Sequence, residues 1–280
     1  MENTGFKRND NATVIKPKSG WSMFDFSELW AYRELIWVMV MKDIKVRYKQ
    51  TVMGVAWAVI QPLTMMVIFS LIFGRLAKIP SDGYPYPIFV FSGLLAWNFF
   101  SSSVGTAGGS LVGSQSLISK VYFPRIIVPL SSIGVAMVDF LIASTILLAM
   151  MVHYGQALSA KLLLLPCFLA GLIMVSVGLG SWLAAVTVTY RDFRYVIPYM
   201  LQVWMYLTPV IYPLSFLSES WRWVMHFNPM YAWIDGVRAC FLGLPIDLFG
   251  VAVSTVVTLI IFVVGLCYFA RAERRFADII

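Results

Sequence analysis

Charged residues are scarce in this sequence. Asp, Glu, Lys and Arg make up 12% of its 280 residues, whereas apolar and aromatic residues make up 60%, and the mean hydropathy is +0.79. A soluble domain carries about twice that share of charge. In water, such a chain would expose apolar patches well beyond the few hundred Å² that soluble monomers tolerate. The composition therefore excludes a soluble globular protein and predicts a protein that lies in lipid.

Cysteine and histidine are also few. The three cysteines, Cys167, Cys240 and Cys267, are odd in number and far apart, which excludes a disulfide framework or a C-x-x-C metal site within one chain. The two histidines, His153 and His226, cannot form a cluster and have no acidic pair at metal-ligand spacing. We therefore predict no metal site.

The common sequence motifs of catalytic sites are missing as well. The sequence has no G-x-x-x-x-G-K-[ST] phosphate loop and no Gly-Lys dipeptide, so we do not expect this chain to hydrolyse ATP. It also lacks G-x-S-x-G and H-E-x-x-H. A membrane-embedded glycosyl- or acyltransferase would need a histidine or paired acids at its site, and the sequence offers neither. In a membrane protein, the net charge of +7 indicates the orientation of the chain and contact with anionic lipid headgroups. No nucleic-acid partner is predicted.

Long charge-free windows define the fold class, because about 20 apolar residues in a helix cross the hydrocarbon core of a bilayer. We predict an all-α polytopic membrane protein whose transmembrane domain occupies residues 51–280. Its six spans are expected at about 52–74, 87–107, 126–152, 162–189, 195–212 and 248–270.

The basic residues set the predicted orientation. With six spans, 16 of the 21 Lys and Arg residues fall on the side that holds both termini. Because the cytoplasmic side carries the excess of Lys and Arg, both termini are expected in the cytoplasm. Residues 1–23 lack the apolar core of a signal peptide and are predicted to be a disordered cytosolic tail.

Residues 24–50 are predicted to form an amphipathic helix on the cytoplasmic membrane surface. An Asp25-x-x-Glu28 capping pattern opens the segment, and its apolar run is too short to span. Trp30 and Trp37 lie beside a basic run, a combination that suits the headgroup layer. The cations predicted to meet lipid headgroups are Lys42, Lys45, Arg47 and Lys49.

Residues 213–247 follow the fifth predicted span and read as two apolar pieces around Asn228-Pro229. Each piece has about 12 residues, which predicts re-entrant or interfacial helices rather than spans. Two helices that merely cap the outer surface are an open alternative. Asp235 and Arg238 are three residues apart and are expected to pair on one helical face.

Asp139 is the one acidic residue inside a predicted span, where ionisable groups are costly. It could act as a proton relay or form a hydrogen bond between helices. The sequence leaves both readings open.

Four sequence blocks resemble the membrane subunits of type-2 ATP-binding-cassette exporters of bacterial polysaccharides, which carry O-antigen, capsule or teichoic acid. The blocks are KDIKVRYKQTVMGVAWAVIQPL (42–63), SKVYFPRIIVPL (119–130), YRDFRYVIPYMLQVWMYLTPVIYP (190–213) and NPMYAWIDGVRACFLG (228–243). Together they extend over most of the chain after the tail and occur in the family's order.

The resemblance implies an exporter of lipid-linked polysaccharide, with O-antigen as the first expectation, in the bacterial inner membrane. It implies a homodimer that works with two copies of a separate ATPase subunit, which would hold ATP and Mg, so this chain would bind no cofactor itself. A cytoplasmic coupling helix at about 113–125 would dock on the ATPase. The coupling residues expected are Gln115, Ser119, Lys120, Tyr122, Phe123, Pro124, Arg125, Arg191 and Asp192. Arg191 and Asp192 lie in the charged turn between the fourth and fifth predicted spans and are expected to pair with each other.

A sugar chain needs a wide path with aromatic walls, and an idle exporter must keep that path closed. The wall candidates are Trp57, Trp97, Trp182 and Trp204. The candidates for an outer gate are Trp221, Trp223, Asn228, Pro229, Trp233, Asp235 and Arg238, with the tryptophans at the outer interface. The alternatives are a proton-coupled flippase without an ATPase, for which Asp139 would be essential, and an exporter of another substrate.

Overall fold

The computed structural model describes residues 26–49, 54–274 and 276. The predicted tail and Asp25 lie outside these residues. In the described part of the chain, all regular structure is helical. The helices are α1 (Phe26–Ala31), α2 (Arg33–Lys49), α3 (Val55–Phe69), α4 (Tyr86–Gly113), α5 (Gln115–Ile118), α6 (Ile127–His153), α7 (Leu165–Thr189), α8 (Phe193–Leu207), α9 (Glu219–His226), α10 (Pro229–Leu242) and α11 (Leu248–Glu273).

Five helical stretches within the described residues are long and apolar enough to cross a membrane. They are Ala56–Leu76, Tyr86–Gly113, Ile127–His153, Ala160–Thr189 and Leu248–Glu273. The first continues α3 through a π-helical turn at Ser70–Leu76, and the fourth adds a 3₁₀ turn at Ala160–Leu164 to α7. The structure thus confirms an all-helical, multi-pass membrane protein.

The predicted fifth span coincides with α8, which is shorter than the other five. Its 15 residues extend for about 22 Å, less than the roughly 30 Å of a hydrocarbon core. The helix ends at Leu207 because Pro209 disfavours helical geometry at Thr208. By length, five helical stretches of the described residues can span the membrane. A sixth span that includes α8 remains a prediction.

Helix α4 is the centre of the bundle and packs against α3, α6, α7, α8 and α10. Small residues allow the closest approaches. Gly108 of α4 leaves room for Ile197 of α8, and Gly180 of α7 meets Ala107 of α4. The backbones of α7 and α11 touch where they cross, at glycines 178 and 265, so neither position could hold a side chain without a shift of the helices.

The two ends of the bundle differ in charge. We call the end that contains the α5 turn and the α7–α8 turn the basic end. Its exposed cations include Lys120, Arg191, Arg194, Arg271 and Arg274. A cluster of buried apolar side chains, with Met39, Phe123 and Phe269 among them, closes the bundle there. At the opposite, far end, Lys161 donates hydrogen bonds to the carbonyl oxygens of residues 243 and 244, at 3.0 and 2.5 Å.

The segment 213–247 forms two helices, α9 and α10, that meet at Asn228-Pro229 as the sequence predicts. The side-chain oxygen of Asn228 accepts a hydrogen bond from the backbone N–H of Met230 and so caps α10. Gly243 ends α10 in the left-handed conformation. Their depth in the membrane stays a prediction, because the helices are defined here only by their packing in the chain.

The predicted coupling helix at 113–125 is much shorter than expected. Between the end of α4 and residue 125, only α5 is helical, with four residues, and residues 119–126 form turns, bends and irregular structure. Helix α4 ends at Gly113, just before Ser114, and Pro124 prevents the loop from continuing as a helix into α6.

Candidate functional site

Helix α8 carries three distinct faces. One face is packed on α4: Ile197 and Leu201 are buried, and the ring of Trp204 contacts the ring of Phe100 edge to face at 5.3 Å. A second face is exposed and apolar, and consists of Val196, Met200, Val203 and Leu207. The third face is also exposed, but it is polar and aromatic, and it consists of Tyr195, Tyr199, Gln202 and Tyr206.

The third face, which we call the tyrosine face, follows from sequence spacing. Its members occur at steps of four, three and four residues, which aligns them along one side of an α-helix. The side chains are open to the surroundings: Tyr195, Tyr199 and Tyr206 are 78, 69 and 47% exposed. Within the described residues, none of these three hydroxyls nor the Gln202 amide has a hydrogen-bond partner.

The tyrosine face can bind a hydroxyl-rich ligand. Each phenol ring offers a flat apolar surface and one hydroxyl, and Gln202 offers both a donor and an acceptor. Transfer of an unpaired amide or hydroxyl group from water to hydrocarbon is unfavourable by about 4–8 kcal/mol. The tyrosine face therefore fits a wetted path or a polar partner better than lipid, while the apolar face beside it fits lipid.

The tryptophans proposed as path walls do not form one surface. Trp97 is buried and packs edge to face on Trp204 at 6.3 Å, so its ring belongs to the core of the chain. Trp57 on α3 is exposed, and Trp182 on α7 is at the edge of exposure and contacts Tyr268. The sequence interpretation missed the tyrosines of α8, although their helical spacing was a readable signal.

A polar cluster joins α2 to α6. The guanidinium of Arg47 forms an ion pair with Asp139 at 2.7 Å, and the Tyr48 hydroxyl donates a hydrogen bond to the same carboxylate. Ser131 of α6 donates to Asp43 at 3.1 Å. Asp139 is twelve residues from the start of α6, or about 18 Å along its axis. Helix α2 therefore runs along the bundle to the middle of α6.

This packing changes the assignment of the α2 cations. Arg47 was expected to meet lipid headgroups, but its guanidinium pairs with Asp139. Three lysines remain on the outer side of α2, although Lys42 also lies 3.2 Å from Asp43. An open groove of about 650 Å³ follows this side of the helix and is lined by Trp37, Val38, Met41, Lys42, Lys45, Val46 and Lys49.

The predicted coupling residues divide into exposed and internal groups. Tyr122 is 67% exposed at the basic end, whereas Phe123 is only 4% exposed and packs inside the chain. Arg125 donates to the backbone oxygen of Glu273 at 2.7 Å and so ties the loop to α11. Gln115, Ser119 and Lys120 are exposed, and Pro124 is half-buried.

The second predicted contact point, the α7–α8 turn, has a different arrangement from the one expected. Arg191 and Asp192 are both exposed, and among the ion pairs of the described residues there is none between them. Adjacent side chains at a turn need not face each other, and an exposed pair would gain little. Their expected pairing is therefore not found.

At the far end, Asn228 links α8 to α10. Its side-chain oxygen accepts a hydrogen bond from the indole N–H of Trp204 at 3.2 Å, in addition to capping Met230. Its amide donates to the Thr208 hydroxyl at 2.9 Å. The end of α8 is thus fixed to the start of α10 by hydrogen bonds from one side chain.

Arg238 forms a second link between the same segments. The predicted pair with Asp235 is present, with 3.4 Å between nitrogen and oxygen. The buried guanidinium also donates to the backbone oxygens of Val210 and Pro209, at 2.7 and 3.2 Å, and lies 4.0 Å from the centre of the Phe89 ring. These contacts compensate a buried cation and hold the chain after α8 against α4 and α10.

The outer tryptophans differ among themselves. Trp221 and Trp223 are exposed on α9, as expected for an interfacial position. Trp233 is buried, and its N–H donates to the Thr258 hydroxyl at 2.9 Å. Its assignment to the outer interface is wrong, because α10 turns this ring inward against α7 and α11.

Together, the long apolar helices and the basic end define a multi-pass membrane protein, in which the short helix α8 carries an exposed tyrosine face. The chain belongs to the ABC-2 type transporter family, whose sequence pattern matches residues 34–242.

Three similar proteins are named for the export or transport of polysaccharides. The chain is 27% identical over 248 residues to the O-antigen export system permease protein RfbA of Klebsiella pneumoniae. The aligned residues cover 88% of this chain and 95% of that protein. The chain is 32% identical over 218 residues to the protein of the same name in Myxococcus xanthus, covering 76% and 82%. The polysialic acid transport protein KpsM of Escherichia coli is 25% identical over 247 residues, covering 84% and 92%.

We predict that the Arg47–Asp139 pair contributes to stability rather than to proton transfer. Asp139→Asn should lower the free energy of unfolding by about 1–2 kcal/mol, because it leaves Arg47 without its counter-ion in a partly exposed site. The measurement is thermal unfolding of the purified protein together with transport in cells.

The control is the reversed pair, Arg47→Asp with Asp139→Arg, which should recover much of the lost stability and transport. A proton relay at Asp139 would give the opposite pattern: the reversed pair would stay inactive, and Asp139→Asn would abolish transport without loss of stability.

Proposed function

We propose that this chain is the transmembrane subunit of an ATP-driven exporter that moves lipid-linked polysaccharide, with O-antigen as the cargo, across the bacterial inner membrane. The single observation that carries the proposal is the tyrosine face, which is exposed, polar and aromatic along the length of α8. Sugar rings have apolar C–H surfaces and many hydroxyls, which match stacked phenol rings and their O–H groups. The names of the O-antigen relatives support the same cargo.

The tyrosine face also supports a homodimer. In one chain this face is open at the surface, so a second copy is needed to enclose a path between two such faces. In this arrangement α8 and the segment after it are the fifth of six spans, and both termini lie in the cytoplasm. The basic end then faces the cytoplasm, in agreement with the positive-inside rule.

ATP hydrolysis is assigned to two copies of a separate ATPase subunit, which hold ATP and Mg. The surface proposed to dock on them is the loop after α4, where Tyr122 projects from the basic end. Phe123 and Arg125 support this loop from within by packing and by the hydrogen bond to Glu273. Arg191 and Asp192 form a second exposed contact point at the same end.

The lipid carrier is proposed to approach along α2. Its phosphates would meet Lys42, Lys45 and Lys49 on the outer side of the helix, beside Trp37. Cations and an indole on one side of a helix suit an anionic headgroup that moves along it.

The α9–α10 pair is proposed as the outer gate. Asn228 and Arg238 tie it to the end of α8, so movement of the gate and of the tyrosine face would be coupled. Trp221 and Trp223 would anchor α9 in the outer headgroup layer.

Proton-coupled transport without an ATPase is the less favoured alternative. It requires Asp139 to exchange protons, but this carboxylate already pairs with Arg47 and accepts a hydrogen bond from Tyr48. A different polysaccharide remains open as cargo, since one relative is named for polysialic acid.

The tyrosine face can be tested by a change at its centre. Tyr199→Ala should reduce export roughly two- to tenfold, because one aromatic contact is worth about 0.5–1.5 kcal/mol. Tyr199→Phe should keep most of the activity, since it retains the ring. The matched control is Met200→Ala on the neighbouring apolar face. Surface O-antigen is measured at equal protein levels, and an equal loss from the Met200 change would contradict the proposal.

The role of the loop after α4 can be tested by replacing two adjacent aromatic residues, Tyr122 and Phe123. Tyr122→Ala should leave the protein folded and inserted, but lower the ratio of glycan exported to ATP hydrolysed, because the exposed ring would contact the ATPase. Phe123→Ala should instead destabilise this subunit by about 3 kcal/mol, since it creates a cavity at a buried site. Normal coupling in the Tyr122 variant would remove this loop from the docking surface.

A further inference from the structure

We propose that the tyrosine face selects uncharged glycans over anionic ones, with Gln202 as the residue that determines this selectivity. The inference rests on the proposed function, in which this face is a wall of the translocation path. It concerns a property that a polysaccharide exporter need not have, because such cargo can be neutral or acidic.

The first argument is the charge of the face itself. From Tyr195 to Tyr206, α8 has no acidic or basic residue. The polar groups exposed along it are three phenols and one amide. An anion moved from water into a weakly polar path needs a cation or strong donors to replace its hydration. The phenols and the amide of α8 can replace the hydrogen bonds of a sugar hydroxyl, but they cannot balance a carboxylate.

The second argument is that two arginines of the bundle, Arg47 on α2 and Arg238 beside the end of α8, are already engaged. Arg47 pairs with Asp139, and Arg238 is buried against Asp235 and two backbone oxygens. The exposed arginines Arg191 and Arg194 lie at the basic end, where α8 begins, and not along its length. They would attract an anionic group to the mouth of the path without accompanying it further.

The third argument is the electrostatic character of the rings. The face of a phenol ring carries partial negative charge, which attracts the C–H groups of a sugar and repels carboxylates. Gln202 lies between Tyr199 and Tyr206 on the same line, about one helical turn from each. A charge placed at Gln202 would therefore act on every sugar unit that contacts the neighbouring rings.

The test uses the complete complex with its ATPase in lipid nanodiscs and two fluorescent probes of equal length, a neutral oligomannose and an oligosialic acid. The unmodified complex should bind the neutral probe at least tenfold more tightly at physiological ionic strength. Gln202→Lys should raise affinity for the anionic probe at least threefold, and Gln202→Glu, a matched change of opposite sign, should lower it. Both changes should alter the affinity for the neutral probe less than the affinity for the anionic probe.

Four outcomes would overturn the selectivity. Equal binding of the two probes by the unmodified complex would do so, and so would an equal response to the Lys and Glu changes. If Tyr199→Ala weakens both probes but the Gln202 changes do not separate them, α8 remains the path wall and only the charge selection fails. If neither probe binds and Tyr199→Ala leaves export intact, the selectivity and the proposed role of α8 both fail.

Discussion

Hydrocarbon offers no hydrogen bonds, so each polar group in the membrane part of a protein must find its partner within the protein or in enclosed water. Most of the polar groups inside this bundle satisfy that constraint within the chain. Asp139 has Arg47 and Tyr48, and Arg238 has Asp235 and two backbone oxygens. The tyrosine face of α8 is different, because it is exposed along its length and its polar groups have no partners in the described part of the chain. The proposed function follows from this contrast.

The same constraint explains why α8 differs from its neighbours. Helix α4 is buried by five surrounding helices, and α7 and α11 touch backbone to backbone through glycines. These helices form the fixed part of the subunit. Helix α8 packs through one face only, and its far end is held by Asn228 and Arg238. It is therefore both exposed along its length and connected to the α9–α10 pair, as a movable wall beside a gate would need to be.

Much of the fold was predictable from the sequence because it depends on long apolar runs. Five predicted spans coincide with long helices, with ends that differ by six residues at most, and the break at Asn228-Pro229 was correctly located. Turn chemistry acts locally, so the position of such a break is visible in a few residues. The Asp235–Arg238 pair was predicted for the same reason, since helical spacing alone brings the two side chains together.

What the sequence could not provide is the direction in which a side chain faces. Trp97 and Trp233 were assigned to surfaces but are buried, because composition does not tell which side of an apolar helix meets its neighbours. Arg47 was assigned to lipid because its partner Asp139 lies 92 residues further along the chain. The coupling helix was overestimated, since an expected function suggested a helix where Gly113 and Pro124 favour turns.

The central claim, that the tyrosine face meets water and not lipid, is tested most directly by thiol accessibility. Single cysteines at Tyr199 and at Met200, in a background without Cys167, Cys240 and Cys267, are treated in membranes with a charged, water-soluble thiol reagent. The account predicts rapid labelling at position 199 and little at position 200, because adjacent residues lie on different faces of α8. Equal protection of both positions would place the tyrosine face in lipid and contradict the account.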